Sequence, residues 1–142
     1  MLLRDIVALL DGRVLTGEGG LDRDIVTACG ADLMSDVLAF IHSGSLLLTG
    51  LTNPQVIRTA EVVDVSAIIF VRGKLPPQET IELAEEREMT LVSAPYTLFE
   101  CCGRLYAAGI EACDVRGEAR RCADRRLREF VGHGTIAGNA TG

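Results

Sequence analysis

Apolar positions alternate along this chain between a helical spacing and short unbroken runs. Leu2, Leu3, Ile6, Leu9 and Leu10 share one helical face, and Asp11-Gly12 stops that helix. Arg13-Val14-Leu15-Thr16 reads as a short strand, followed by a Gly17-Glu18-Gly19-Gly20 turn and a second strand, Asp24-Ile25-Val26-Thr27-Ala28. Asp32 is placed to cap a helix whose inner face is Leu33, Val37 and Ile41, with Met34 and Leu38 beside it. His42 falls in the last turn, where a cation complements the dipole, and Gly44 closes the helix in the left-handed conformation.

From Ser45 onward the alternation is regular. Ser45 to Thr49 is a continuous strand, as expected where both faces of a sheet are covered. Asn53 caps the next helix with Pro54 at its first position, and Val56, Ile57, Ala60 and Val63 form its buried stripe. Ala67-Ile68-Ile69-Phe70-Val71 is a further strand, Arg72-Gly73-Lys74 its polar exit. Pro76-Pro77 opens an acidic helix that reaches about Glu88. Thr90-Leu91-Val92-Ser93 is the last strand, and Thr97 with Glu100 fits a capping box for a helix to about Ala108. Strand and helix alternating over residues 45–108 predict right-handed βαβ crossovers and an α/β fold with a mostly parallel sheet.

The chain has 142 residues, enough for one domain with a complete core. Aromatic residues make up only 4% and Trp is absent, so that core is expected to be aliphatic. The net charge of −6 argues against nucleic acid as a partner, because phosphate binding needs a positive surface. The first ten residues are too short and too charged for a signal peptide or membrane span, which predicts a cytoplasmic protein with reduced thiols. The character changes after Gly109. Residues 111–131 hold six of the 14 basic residues, all Arg, against five acids. Ala119, Ala123, Leu127, Phe130 and Val131 recur there at helical spacing, predicting an amphipathic helix that docks on the domain or on a second copy. The Arg residues are interleaved with Glu118, Asp124 and Glu129, so helix salt pairs account for them better than RNA contact does. Residues 132–142 are expected to form a disordered tail. The domain proper is therefore placed at residues 1–110.

Candidate chemistry concentrates at the strand exits. In a parallel α/β sheet, ligands gather at the carboxyl ends of strands, where helix N-termini present free N–H groups. Thr49, Gly50, Thr52 and Asn53 form one such turn, and Arg72 and Lys74 form a second that supplies countercharge. Thr97 lies on a third. No GxxxxGK(S/T) sequence is present and no GxGxxG follows a strand, which excludes hydrolases and kinases built on those loops. The five Cys lack CxxC-like pairs, so no metal or cofactor is expected. With only two His, neither near a nucleophile, a hydrolytic triad is excluded. Asp32 and Asp36 lie one helical turn apart, and capping explains them better than catalysis does.

Several segments resemble the stand-alone DRTGG-domain proteins: Leu21-Asp22-Arg23-Asp24, Ala31-Asp32-Leu33-Met34-Ser35-Asp36-Val37-Leu38, Leu48-Thr49-Gly50-Leu51-Thr52-Asn53-Pro54-Gln55, Phe70-Val71-Arg72-Gly73-Lys74 and Gly103-Arg104-Leu105-Tyr106. The resemblance covers about residues 1–110. It implies a three-layer α/β/α sandwich related to the N-terminal domains of HPr kinase and Mur ligases, often dimeric and regulatory, with no activity of its own. Where many relatives carry Gly-Asp-Arg this chain has Gly50-Leu51-Thr52, and where they carry Thr-Gly-Gly it has Arg72-Gly73-Lys74. Two functions are open at this point. One is a non-catalytic sensor of a small anionic metabolite, possibly a nucleotide, bound by Thr49, Gly50, Thr52, Asn53, Arg72, Lys74 and Thr97. The other is a protein–protein interaction module that acts through homodimerisation and the C-terminal helix, without a ligand. An enzyme using Cys29 is the weakest third reading.

Overall fold

The computed structural model describes residues 1–113. In chain order these form α1 (Leu3–Leu9), β1 (Arg13–Thr16), a 3-10 turn (Glu18–Gly20), β2 (Thr27–Gly30), α2 (Met34–Phe40) and β3 (Leu46–Thr49). There follow α3 (Pro54–Val62), β4 (Ala67–Phe70), α4 (Gln78–Glu86), β5 (Thr90–Ser93), α5 (Leu98–Ala107) and β6 (Glu111–Ala112). The strands make one six-stranded sheet in the order β1-β5-β4-β3-β2-β6. All pairings are parallel except β1 with β5.

Period-two alternation on the central strands divides the core into two layers. Leu46, Leu48, Ala67 and Ile69 point to one face, where Leu3, Ile6 and Leu10 from the α1 segment and Cys101 and Leu105 of α5 cover them. Leu47, Ile68, Phe70 and Leu91 point to the other, under Val37 of α2, Val56, Ile57 and Ala60 of α3, and Ala84 of α4. Because β3 and β4 are buried on both faces, they carry no polar alternation, and the unbroken apolar runs follow directly. Each fully buried Leu or Ile contributes about 1.5–3 kcal/mol. The result is the expected α/β/α sandwich with a mostly parallel sheet.

Several local expectations are corrected. The second strand begins at Thr27 rather than Asp24, because residues 24 and 25 bond to the N-terminal segment: Leu2 bridges Asp24, and the Ile25 amide donates to the Met1 carbonyl at 2.7 Å. Asp32 does not cap α2; Leu33 holds that position without a side-chain cap. Of the predicted inner face only Val37 is fully buried, while Leu33 and Leu38 are exposed. The helix ends at Phe40, so His42 lies beyond its last turn, and Gly44 (φ +80°) serves a later turn in which its amide donates to the Asp64 carbonyl. Asn53 stands at the N-terminus of α3, but its side chain makes no capping bond. Thr97 does cap α5, accepting from the Glu100 amide at 3.2 Å, while the Glu100 carboxylate turns to Arg104 instead of back to the cap. Glu111–Ala112 extends the sheet beside β2, where the start of a helix was expected. The rest of that predicted helix and the predicted tail lie outside the described residues.

One glycine is required by the packing of β1 against β5. Gly17 has φ +72°, and a Cβ there would lie 2.6 Å from the Thr90 Cα and 2.7 Å from the Met89 carbonyl oxygen. Both are backbone atoms that cannot swing away. Gly17→Ala therefore combines left-handed strain with a backbone clash, each costing about 1–3 kcal/mol. Urea denaturation should show a clear loss of stability, whereas Gly19→Ala, which meets open space, should be nearly silent.

Candidate functional site at the strand exits

Four consecutive parallel strands, β5, β4, β3 and β2, end along one border of the sheet, and the chain enters a helix after each. Thr49 is the last residue of β3 and is fully buried. Its hydroxyl donates to Asp32 Oδ1 at 3.1 Å, and the Gly50 amide donates to the same oxygen at 2.6 Å. The Thr49 Oγ1 in turn accepts from the Leu51 amide at 3.2 Å. A carboxylate thus already sits in the nest of donors at the β3 exit, as an anion would. From the sequence alone, Asp32 reads as a helix cap. With β2 at residues 27–30, Asp32 stands two residues past a strand end, next to the β3 exit.

The β4 exit closes over the same nest. Arg72 and Gly73 both take positive φ, 61° and 65°. This folds the turn onto the β5 exit, where the Arg72 amide donates to Tyr96 O and the Gly73 amide to Ala94 O, each at 2.7 Å. Lys74 Nζ donates to the Gly50 carbonyl at 2.8 Å, and its own carbonyl accepts from Ser93 Oγ at 2.8 Å. Arg72 Nη2 lies 2.9 Å from where a Gly50 Cβ would stand. Any side chain at position 50 would therefore push the guanidinium off the nest. Among the described residues the Arg72 guanidinium makes no hydrogen bond or ion pair. Thr52 is half-buried and Asn53 exposed, and among the described residues their amides donate to no protein acceptor. The Thr52 carbonyl is held by Thr80 Oγ1 at 2.8 Å.

The structure therefore brings Thr49, Gly50, Arg72 and Lys74 together, with Thr52 and Asn53 at the adjoining start of α3. Thr97 is on the same border, one residue past the Tyr96 carbonyl that anchors Arg72, but its oxygen caps α5. Beside it, Tyr96 Oη donates to the Asp11 carboxylate, and Arg104 lies over the Tyr96 ring at 3.9 Å. The bond to Asp11, followed by desolvation, raises the Tyr96 pKa. This cluster ties α5 to the end of α1 and stiffens one flank of the border.

The thiols behave as packing groups. Burial pushes Cys29 up to about 11, with the neighbouring Cys113 and Cys102 adding to it, and burial likewise pushes Cys101 up to about 11. A thiol kept protonated is a poor nucleophile. No group of side chains fit to hold a metal ion occurs among the described residues. The raised values have a consequence for stability. Between pH 9 and 11 the unfolded chain loses thiol protons that the folded chain retains, so stability should fall as pH rises through that window and be unaffected below it. Denaturation midpoints at pH 7, 9 and 10.5 measure this.

An open, mostly parallel sheet with a polar, arginine-bearing border at its strand exits is the architecture of α/β domains that hold small ligands at a sheet edge. The profile of the DRTGG domain matches residues 5–108, and the chain belongs to that family. Its fold is similar to that of the CBS and DRTGG domains of the regulatory region of Clostridium perfringens pyrophosphatase, solved in complex with the activator diadenosine tetraphosphate. The two share 21% sequence identity at a TM-score of 0.60, over 80% of this chain and 48% of that one. The chain thus spans about half the length of that structure, and is an α/β domain of the DRTGG family. No curated protein matches it. Among the described residues no helix is long and apolar enough to cross a membrane.

Proposed function

We propose that this chain is a non-catalytic regulatory domain that binds a small anionic metabolite, a nucleotide by class, at the border formed by Thr49–Asn53 and Arg72–Lys74. The observation that carries this reading is the Arg72 guanidinium poised over Gly50, unpaired among the described residues, with the amides of Thr52 and Asn53 on the same border also donating to no acceptor among them. A phosphate there would meet a cation and backbone donors together, the combination that makes charge-assisted bonds strong. Asp32 opposes it. Its carboxylate occupies the Gly50 donor and repels an incoming anion, so it sets a threshold for binding. The raised thiol pKa values argue against Cys29 or Cys101 as a nucleophile.

Calorimetry of the full chain against nucleotides, dinucleoside polyphosphates and sugar phosphates tests the reading. At least one should bind more tightly than about 1 mM, or roughly −4 kcal/mol. No heat for any of them at millimolar concentration would reject it. Asp32→Asn keeps an oxygen facing the Gly50 amide but removes the charge, so it should tighten the same ligand several-fold. A second reading, an interaction module with an empty border, is favoured by the strongly exposed Phe99, at 89% of its free surface. It predicts a dimer whose mass falls on Phe99→Ser in light scattering, with no ligand heat.

A further inference from the structure

We propose that Cys29 and Cys113 form a redox-modification site, which a low-molecular-mass disulfide closes into a Cys29–Cys113 cross-link between β2 and the end of β6. The pairing of these strands sets the two residues side by side. Thr27 pairs with Glu111 and Ala28 with Ala112 in parallel register, and the Cys113 amide donates to the Ala28 carbonyl at 3.1 Å. One step further along that register, Cys113 stands opposite Cys29. Neighbouring strands lie about 4.8 Å apart, inside the window of about 4.4–6.8 Å between Cα atoms that a disulfide spans. The two side chains also share a face of the sheet. Ala28 packs with Leu46 and Leu48 in the layer under α5, so Thr27 and Cys29 on either side of it turn to the opposite face. The Cys113 thiol is on that face too: its Sγ lies 3.1 Å from Ser45 Oγ, which is itself 2.5 Å from Thr27 Oγ1.

The other described thiols are set apart. Cys101 and Cys102 belong to α5, and Cys102 Sγ lies 2.7 Å from where a Gly30 Cβ would stand, on the α5 side of β2. Cys29 and Cys113 are each half-buried, which leaves a small oxidant a route to them. The chemistry is thiol–disulfide exchange. The Cys113 thiolate attacks one sulfur of a disulfide RSSR; that S–S bond breaks, a Cys113–SR mixed disulfide forms, and the first RSH leaves. The Cys29 thiolate then attacks the Cys113 sulfur, the bond to SR breaks, and the second RSH leaves. The two thiols give up two protons and two electrons, and RSSR takes both. Burial holds Cys29 protonated, so its step is the slower one. Its target sulfur is a neighbour in the same molecule, which offsets the low thiolate fraction. β6 is only two exposed residues long, so the cross-link ties down the weakest edge of the sheet.

Treating the reduced full chain with hydroxyethyl disulfide, then alkylating, digesting with trypsin and weighing the peptides, tests the proposal. The Arg and Lys positions place Cys29, the Cys101–Cys102 pair, Cys113 and Cys122 in separate tryptic peptides. The expected product is the Cys29 peptide joined to the Cys113 peptide within a single chain, reopened by excess dithiothreitol. Amide exchange at Glu111 and Cys113 should slow by about tenfold or more in the cross-linked chain. In Cys29→Ser the hydroxyethyl group should stay on Cys113, because the second attack is missing. In concentrated urea the preference for this pair should vanish. Any of four results would overturn the proposal: no joined peptide, a stable mixed disulfide on Cys113 of the unmodified chain, Cys113 joined instead to Cys122 or to another chain, or the same Cys29–Cys113 preference in urea as in the folded protein.

Discussion

Replacing Phe70 with alanine is expected to remove about 3–5 kcal/mol of stability, the largest single effect in this domain. Phe70 is the largest of the fully buried side chains and closes the core layer shared by β4 with α2, α3 and α4. The layer around it is aliphatic and supplies no flexible ring to refill the space. Domains of this size are commonly stable by only 5–15 kcal/mol, so the variant should be close to unfolding in dilute urea. The consequence reaches the border. The Phe70 carbonyl accepts from the Ala94 amide at 2.9 Å, two residues before Arg72 begins its left-handed turn. A shift in the urea midpoint equivalent to less than about 1 kcal/mol would mean that this layer is far looser than its contacts imply.

Arg72→Ala should have the opposite profile, with a large loss of ligand affinity at almost no cost in stability. The guanidinium is exposed and makes no hydrogen bond or ion pair among the described residues, so the folded state loses little. A charge-assisted bond to a phosphate contributes about 1.5–3 kcal/mol, which corresponds to roughly 10- to 150-fold in affinity. Arg72→Lys keeps the charge but gives up the planar, bidentate geometry, and should fall between the two. Lys74→Ala is expected to weaken binding less, because its ammonium is already engaged by the Gly50 carbonyl at 2.8 Å. Equal losses from Arg72 and Lys74 would indicate a diffuse electrostatic attraction instead of a built contact.

How much of this was legible in the chain depended on whether burial or local chemistry decided each element. β3, β4 and β5 are buried on both faces, so their apolar runs announced them, and the helices between them carry regular stripes. β2 was misplaced by three residues because Asp24 and Ile25 bond to Met1 and Leu2 at the far end of the sequence, which no local pattern reveals. β6 is two exposed residues long and exists only because β2 offers a free edge. At the border, the turn residues were found from their position after strands and before helices. Asp32 was not, because a carboxylate two residues from a helix start looks the same whether it caps that helix or reaches across to Gly50. Only the register of β2 against β3, Gly30 beside Leu48, decides which donor it meets.

Anion binding at the β3 and β4 exits is read directly by a residue-by-residue amide titration of the isotopically labelled full chain with a nucleoside triphosphate. Saturable shifts are expected at Gly50, Thr52, Asn53, Arg72 and Gly73, lost in Arg72→Ala and enlarged at equal ligand in Asp32→Asn. Saturable shifts confined to α5 and the β2–β6 edge, with the Thr49–Asn53 turn unmoved, would contradict it.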